Sequence, residues 1–358
     1  MRTLFYFFST LLMFGLSRGI KRKHRFFDML VLCAIAAIPA IFSICLPYEI
    51  SDRAVYADRY LRYYPRYIEN IVGIFTQTST EYGFALYNLI LYLIIPDPKF
   101  LLFTSAFITN FCILYAFYKL KDYRIDRLVL VYILTWYPFF SFYGIRQSLA
   151  MGFGSIAISE YVRCKNIKNC WKKVFVWMLL AMCFHGTAII IAFFIGICEF
   201  VKGKRRITTF IIILTGMFWA TWPILNWVLS WPIFESKFLG SRDVETVSAA
   251  IALKGIPMLL AGLTGLLYRN RLYAKDKAID ICIVGTIFFG FMWIYAINGY
   301  WLYRLNFYGI ILFCFLMCSI EKNIANQKFA KLSYLLSMIA AIIVVYRELI
   351  LYMKIIFI

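Results

Sequence analysis

The sequence is poor in charged side chains and in histidine. Only 16% of its 358 residues are Asp, Glu, Lys or Arg, whereas soluble domains carry about 25%. Two His are present, and eight of the ten Cys lie inside apolar runs. These counts predict no metal site, no disulfide framework and no bound cofactor. They also argue against a soluble domain, so any chemistry belongs to a membrane and its adjoining loops.

Apolar residues are correspondingly abundant in the composition. Hydrophobic residues make up 63% of the chain and aromatic residues 20%. Several apolar runs approach the roughly 20 residues that cross a bilayer as a helix. We therefore predict an all-α polytopic integral membrane protein with about 10–12 transmembrane helices, some of them short or re-entrant, in a single transmembrane domain over residues 1–358. The first apolar run lacks a small-residue cleavage site, so we interpret it as a span and not as a signal peptide.

The net charge of +20 would suit a nucleic-acid-binding protein, but its distribution indicates a membrane protein. The Lys and Arg residues concentrate in short loops between apolar runs, which is the pattern of cytoplasmic loops. We predict no nucleic-acid partner, an N-terminus outside the cytoplasm, and outer loops at 47–80 and 223–250. The basic loops are residues 18–25, 119–127, 163–173, 202–206, 269–277 and 322–331.

Two apolar runs conflict with simple alternation across the membrane. The run 82–95 is short for a span, and a full crossing there would leave the next basic loop outside, so we predict that it dips into the membrane and returns. The run 174–200 has basic loops at both ends, which requires an even number of crossings. We expect a bend near His185, which brings its imidazole to the outer side, where Arg146 also lies.

Polar side chains near the outer ends of the apolar runs form the candidate site. Arginine forks suit a diphosphate, because the guanidinium group matches phosphate oxygens in a bidentate way. A carboxylate or an imidazole can take a proton from a hydroxyl group. Two tyrosines that share a helical face with Asp52 can contact a sugar or form an interfacial aromatic belt. The candidates are Asp52, Tyr56, Tyr60, Glu81, Arg146, Gln147, His185 and Arg304.

Each of these residues also has an ordinary structural interpretation. Arg304 can extend to lipid headgroups, and His185 can bond a backbone carbonyl that the helix break leaves unpaired. Glu81 can serve as a favourable charge at a helix N-terminus, and Asp58 competes with Asp52 as the outer carboxylate.

Five short motifs, taken together in their order and spacing, resemble the EpsG-like family of Wzy-type polysaccharide polymerases. The motif around His185 departs from the family in one position, because Gly186 stands where a Ser is expected. The motifs are Asp52-x-x-x-Tyr56-x-x-x-Tyr60, Glu81-Tyr82-Gly83, Ile145-Arg146-Gln147-Ser148-Leu149-Ala150, Phe184-His185-Gly186-Thr187-Ala188, and Tyr303-Arg304-Leu305 with Tyr308.

The resemblance implies an enzyme of the bacterial inner membrane that joins oligosaccharide repeat units carried on undecaprenyl diphosphate, outside the cytoplasm. The product would be O-antigen, capsule or exopolysaccharide, and a flippase and a chain-length regulator would be partners. Arg146 and Arg304, with Gln147, would hold the diphosphate. One of His185, Glu81 and Asp52 would act on the acceptor hydroxyl, and the sequence leaves that choice open. Two other functions stay open as well: a flippase or transporter of the same lipid-linked sugars, and a surface-glycan ligase or acyltransferase.

Overall fold

The computed structural model describes most of the chain outside a gap at 217–252. The described residues are 2–48, 52–69, 72–73, 81–121, 123–135, 141–142, 144–164, 167–201, 205–216, 253–276, 278–296, 300–324 and 326–357. Within these ranges the chain is helical and contains no strand. The protein is an all-α polytopic membrane protein, as predicted. The predicted outer loop 223–250 lies outside the described residues.

The chain folds into two compact units. Unit 1 comprises Met1–Cys164, Lys168–Ile191 and Val345–Ile358, and unit 2 comprises Lys165–Ile167 and Ala192–Val344. The single transmembrane domain stays a prediction. Within the described residues, three helices are long and apolar enough to cross a membrane: Arg25–Ile44, Pro98–Lys119 and Arg304–Ile324. Five shorter apolar helices accompany them, and the count of 10–12 crossings stays a prediction.

The helices of unit 1 begin and end close to the apolar runs of the sequence. Pro98 lies at the first turn of one of them, where its missing N–H costs nothing, and Asp97 caps that turn by accepting from the Lys99 N–H at 2.8 Å. The helices are α1 (Arg2–Ser17), α2 (Arg25–Ile44), α3 (Arg53–Arg62), α4 (Tyr64–Glu69), α5 (Tyr82–Ile94), α6 (Pro98–Lys119), α7 (Ile125–Thr135), α8 (Ile145–Cys164) and α9 (Trp171–Phe184). A 3-10 helix, Gly186–Ile189, follows α9. The predicted outer loop 47–80 thus contains α3 and α4.

Unit 1 has two chemically distinct ends, because its basic loops meet at one of them. Arg22, before α2, donates to the carbonyls of Lys121 and Tyr123, after α6, at 2.8 and 2.7 Å. Lys119, at the end of α6, pairs with the buried Glu160 near the end of α8, and Arg163 pairs with the same carboxylate at 2.5 Å. We call this the basic end. The loops 18–25, 119–127 and 163–173 therefore meet there, as the charge pattern predicts.

The short helix α5 lies along α3 and does not run to the basic end. Tyr56 of α3 packs edge-on against Phe84 at the start of α5, with ring centroids 5.4 Å apart. Tyr60 of α3 donates to the carbonyl of Ile95, just beyond the end of α5, at 3.0 Å. Residues at both ends of α5 thus contact one ten-residue helix, and the predicted re-entry into the membrane stays a prediction.

Unit 2 is built on α14 (Ile279–Tyr295), an apolar helix whose Gly285 lies so close to Leu312 that a Cβ there would overlap that side chain. Trp293 of α14 is fully buried, and Gly309 lies so close to Phe289 that a Cβ there would overlap that ring. Arg269 forms a bidentate pair with Asp280 at 2.6 and 2.5 Å. The helices are α10 (Ile190–Phe200), α11 (205–216), α12 (Ile256–Leu267), α13 (Arg269–Lys275), α14, α15 (Ile310–Ile324) and α16 (Lys328–Phe357), with 3-10 helices at Leu253–Gly255 and Tyr300–Gly309. Unit 2 contains α16 as far as Val344, and the rest of that helix belongs to unit 1. Helix α16 continues past Arg347 and Glu348, beyond the predicted end of the last span at 345.

Candidate active site

The N-terminus of α8 positions Arg146. Gly144, just before the helix, has φ of +52°, a left-handed conformation that glycine adopts without the penalty that a Cβ imposes. The Gly144 N–H donates to Oδ1 of Asp52 at 3.3 Å. Asp52 directly precedes α3, so this contact joins the start of α3 to the start of α8. Arg146, the second residue of α8, follows this contact by two residues.

The Arg146 guanidinium group is held by two side chains of unit 1. Its Nη1 donates to Oε2 of Glu81 at 2.8 Å, and its Nε donates to the Tyr56 phenol oxygen at 2.7 Å. The Arg146 and Glu81 side chains are 22% and 27% exposed, so a ligand can reach the pair. Among the described residues, Nη2 makes no hydrogen bond. Its two N–H groups can therefore receive an anion while the other nitrogens stay anchored.

Glu81 is a bridge between Arg146 and the helix break at His185. It occupies the N-cap position of α5, but its side chain makes no capping hydrogen bond. Its second oxygen, Oε1, accepts from the Gly186 N–H at 3.2 Å and lies 3.9 Å from Nδ1 of His185. Glu81 therefore stands at a helix N-terminus, where a negative charge is favourable, and both of its oxygens also bind groups outside α5.

The break in the run 174–200 falls at His185, as predicted. His185 is extended and ends α9, and its Nδ1 accepts from the Thr187 N–H at 3.3 Å. The Thr187 hydroxyl lies 2.9 Å from the same nitrogen. Because a backbone N–H can only donate, this contact places the proton of a neutral imidazole on Nε2. His185 thus caps a backbone N–H group.

Tyr56 contacts two side chains: its ring packs against Phe84, and its phenol oxygen accepts from Arg146. Burial raises the pKa of the Tyr56 phenol above its usual value of 10.0, although the Arg146 cation acts in the opposite direction. The phenol stays protonated at physiological pH, so it can accept from Arg146 and still donate its own proton to a ligand. Tyr60 is fully buried. Its ring packs against Tyr64 and Tyr92 with centroids 5.9 and 5.3 Å apart.

The remaining candidates from the sequence are Gln147, Arg304 and Asp58. Gln147 is buried in the first turn of α8. Arg304 belongs to unit 2 and is exposed there. Asp58, the rival of Asp52, forms a pair with Arg62 at 2.6 Å, and both side chains are largely exposed. The roles assigned to Gln147, Arg304 and Tyr60 stay predictions.

Two features of the site have no signal in the apolar pattern. Arg53, next to Asp52, is 1% exposed and donates to the Ser43 carbonyl at 2.6 Å, at the C-terminus of α2. A cation there compensates for the unpaired carbonyls of the helix end, and it fixes the position of Asp52. The second feature is the backbone N–H groups of Gly144 and Gly186, each of which orients a carboxylate. The residues after α2, Cys45-Leu46-Pro47, include no glycine to end the helix, and that is a sequence sign of a cation such as Arg53 at this helix end.

The cluster of Asp52, Tyr56, Glu81, Arg146 and His185 combines an anchored cation with three groups that exchange protons. A guanidinium group in a partly buried site stabilises an anion more strongly than it would in water. A carboxylate within reach can accept a proton from a hydroxyl group. In the part of the chain that the structure describes, no three His, Cys, Asp or Glu side chains are placed to hold a metal ion.

Comparison with known proteins now adds an independent observation. The EpsG family model matches residues 29–356, which includes all five residues of the cluster. The chain belongs to the EpsG family. No curated protein and no solved structure matches it. The EpsG family is associated with polysaccharide polymerase-like function and with polysaccharide biosynthesis in membranes.

Proposed function

We propose that this EpsG-family protein is a Wzy-type glycosyltransferase that joins oligosaccharide repeat units carried on undecaprenyl diphosphate. The observation that carries the proposal is the arrangement of Arg146, anchored by Glu81 and Tyr56 at 2.8 and 2.7 Å, beside His185. A diphosphate leaving group needs a fixed cation, and an acceptor hydroxyl needs a nearby proton acceptor. Both lie in one cluster, at the end of unit 1 opposite the basic end.

In the proposed reaction, the acceptor hydroxyl oxygen attacks the anomeric carbon of the growing chain, and the bond from that carbon to the diphosphate oxygen breaks. The electron pair leaves with the diphosphate, whose added charge is stabilised by Nη2 of Arg146. His185 donates a hydrogen bond from its Nε2–H to the same leaving group. Arg304 stays a second proposed ligand of the diphosphate, with Gln147.

The proton of the acceptor hydroxyl goes to a carboxylate, and the contacts favour Asp52 over Glu81. Both oxygens of Glu81 are already engaged, one by the Arg146 guanidinium group and one by the Gly186 N–H. Among the described residues, the Asp52 side chain accepts one hydrogen bond, from the Gly144 N–H at 3.3 Å. Glu81 then acts as the residue that positions Arg146, and Asp52 acts as the base.

The proposed location is the bacterial inner membrane, with the cluster on its outer face. The basic loops meet at the opposite end of unit 1, and such loops favour the cytoplasm. This orientation would place the N-terminus outside. It would also give the cluster access to repeat units that a flippase has delivered, and a chain-length regulator would be a further partner.

The decisive experiment is complementation of a deletion strain, read as the ladder of surface polysaccharide on a gel. We expect Arg146→Ala and Asp52→Asn to abolish long polymer while the protein stays in the membrane. Arg62→Ala is the matched control, because Arg62 is 73% exposed on α3 and pairs only with Asp58. Normal ladders from both site variants would refute the assignment.

The same strain separates the polymerase from its alternatives. A missing polymerase leaves single repeat units on the outer face of the membrane, whereas a missing flippase leaves them on the inner face. A missing ligase or acyltransferase leaves polymer of normal length that is unattached or undecorated.

A further inference from the structure

The basic end of unit 1 contains a cavity that the proposed reaction does not use. Its volume is about 390 Å³, which is within the range of about 300–1,000 Å³ found for small-molecule sites. It lies between the loop that joins α1 to α2 and the loop that joins α6 to α7. Its charged lining consists of five cations and one carboxylate: Arg18, Lys21, Arg22, Lys121, Arg124 and Asp126.

Arg22 gives the cavity a fixed wall. Its guanidinium group donates at 2.7–3.0 Å to four carbonyl groups at the end of α6 and just beyond it. These carbonyls belong to Phe117, Leu120, Lys121 and Tyr123. Its backbone has φ of 55°, the one positive φ of a non-glycine residue among the described residues. This conformation costs free energy in an L-residue, and the four hydrogen bonds hold it in place. The two loops are therefore locked together before any ligand arrives.

The other cations divide into one that pairs with a carboxylate and three that line the cavity without a partner among the described residues. Arg124 pairs with Asp126 through two contacts, at 2.7 and 3.2 Å. Arg18, Lys21 and Lys121 are exposed, and the described residues provide no ion pair or hydrogen bond for their side chains. Three like charges around one cavity repel one another unless an anion lies between them.

The helices that flank the cavity expose apolar side chains, which indicates the kind of anion. Phe26 and Phe27, in the first turn of α2, are 78% and 58% exposed, and Leu11 of α1 is 69% exposed. An anionic phospholipid presents a phosphate group next to hydrocarbon chains and so matches both surfaces. Basic cavities between membrane helices on the cytoplasmic side are suited to such headgroups. The general preference of basic loops for the cytoplasm explains the charge, but it does not explain a preformed cavity.

We propose that this cavity binds a phosphate-bearing anion, supplied as the headgroup of an anionic phospholipid. The site is separate from the Arg146 cluster, and lipid bound there would clamp the α1–α2 loop against the α6–α7 loop. The proposal holds whether or not the protein is a polymerase, because it concerns only the basic end.

The test measures lipid binding by the purified full-length protein in detergent, using native mass spectrometry. Phosphatidylglycerol is titrated against phosphatidylcholine, and inorganic phosphate is added in a separate arm. The test variant is Arg18→Gln/Lys21→Gln/Lys121→Gln. The control variant, Lys172→Gln/Lys173→Gln/Lys331→Gln, removes the same charge from exposed lysines elsewhere. Circular dichroism checks that both variants keep their helices.

We expect the wild type to prefer phosphatidylglycerol, the test variant to bind it at least about tenfold more weakly, and the control to change by less than about twofold, since each cation next to a headgroup adds to the attraction. Displacement of phosphatidylglycerol by inorganic phosphate would support the site but assign it to a soluble phosphate. Equal binding by wild type and test variant would overturn the proposal. Equal losses in both variants would also overturn it, because they would indicate general charge attraction. If the triple variant does not fold, Lys21→Gln against Lys172→Gln gives the same comparison.

Discussion

Replacing Tyr56 with Phe tests whether the phenol acts through Arg146. The substitution keeps the ring, which packs on Phe84 with centroids 5.4 Å apart, and removes only the oxygen that accepts from Nε of Arg146 at 2.7 Å. A hydrogen bond to a charged group contributes about 1.5–3 kcal/mol, and each 1.36 kcal/mol changes a rate about tenfold. If the bond serves the transition state, the rate of chain extension should fall roughly 10- to 150-fold.

The assay is the initial rate of polymer extension by purified protein on a lipid-diphosphate-linked repeat unit, and it is repeated in an Arg146→Lys background. Lysine has no Nε, so the loss of the phenol should then cost less than about threefold, because the two residues act as one unit. Tyr63→Phe is the control, since Tyr63 is 47% exposed at the end of α3. A full loss in the Lys background would show that Tyr56 acts independently, for example as the sugar contact predicted from the sequence.

Three further predictions concern the supports of the cluster. Gly144→Ala should lower the free energy of unfolding by about 1–2 kcal/mol in a thermal melt, because φ is +52° there and this conformation is unfavourable for an L-residue. The control, Gly186→Ala, should leave stability unchanged, since a Cβ there meets nothing within 4 Å. Equal losses in both variants would contradict the backbone argument. Gly83→Ala should reduce polymer length at unchanged expression, because its Cβ would lie 2.6 Å from Cβ of Cys183 and force α5 from α9; wild-type ladders would contradict this. Burial raises the pKa of Tyr64, so the unfolded state releases the phenolic proton first and stability should fall as pH rises above about 10; the melting temperature of Tyr64→Phe should fall less steeply, and parallel curves would contradict the shift.

The convergence of Glu81, Arg146 and His185 was accessible from the sequence because it depends on charge and length. Basic loops on both sides of the run 174–200 require a bend, and the run 82–95 is too short to cross. Both features constrain chain direction, which then determines which helix ends meet. The hydrophobic pattern and the positive loops therefore predicted the class of fold, the break at His185 and the side on which the polar residues gather.

The finer contacts depend on information that such patterns do not contain. Tyr56 and Tyr60 share a helical face, yet one reaches Arg146 and the other donates to Ile95, since a face of α3 has different neighbours along its length. The burial of Arg53 and the positive φ of Gly144 depend on how the end of one helix packs against another segment. No periodicity in the sequence reports on such fits.

The helices of unit 1 place the basic end and the Arg146 cluster at opposite ends. The orientation in which the protein inserts therefore determines which aqueous compartment the cluster faces. Helices α2, α6, α8 and α9 each have one terminus near Arg22 or Arg163 and the other toward Arg146 or His185. If loop cations were exchanged for acids so that the bundle inserted upside down, every distance within the cluster would be preserved. The reacting groups would then open into the wrong aqueous compartment, away from their substrate. Such a protein would be folded, abundant and inactive, and a protease or thiol reagent applied to intact cells would distinguish it from a damaged one.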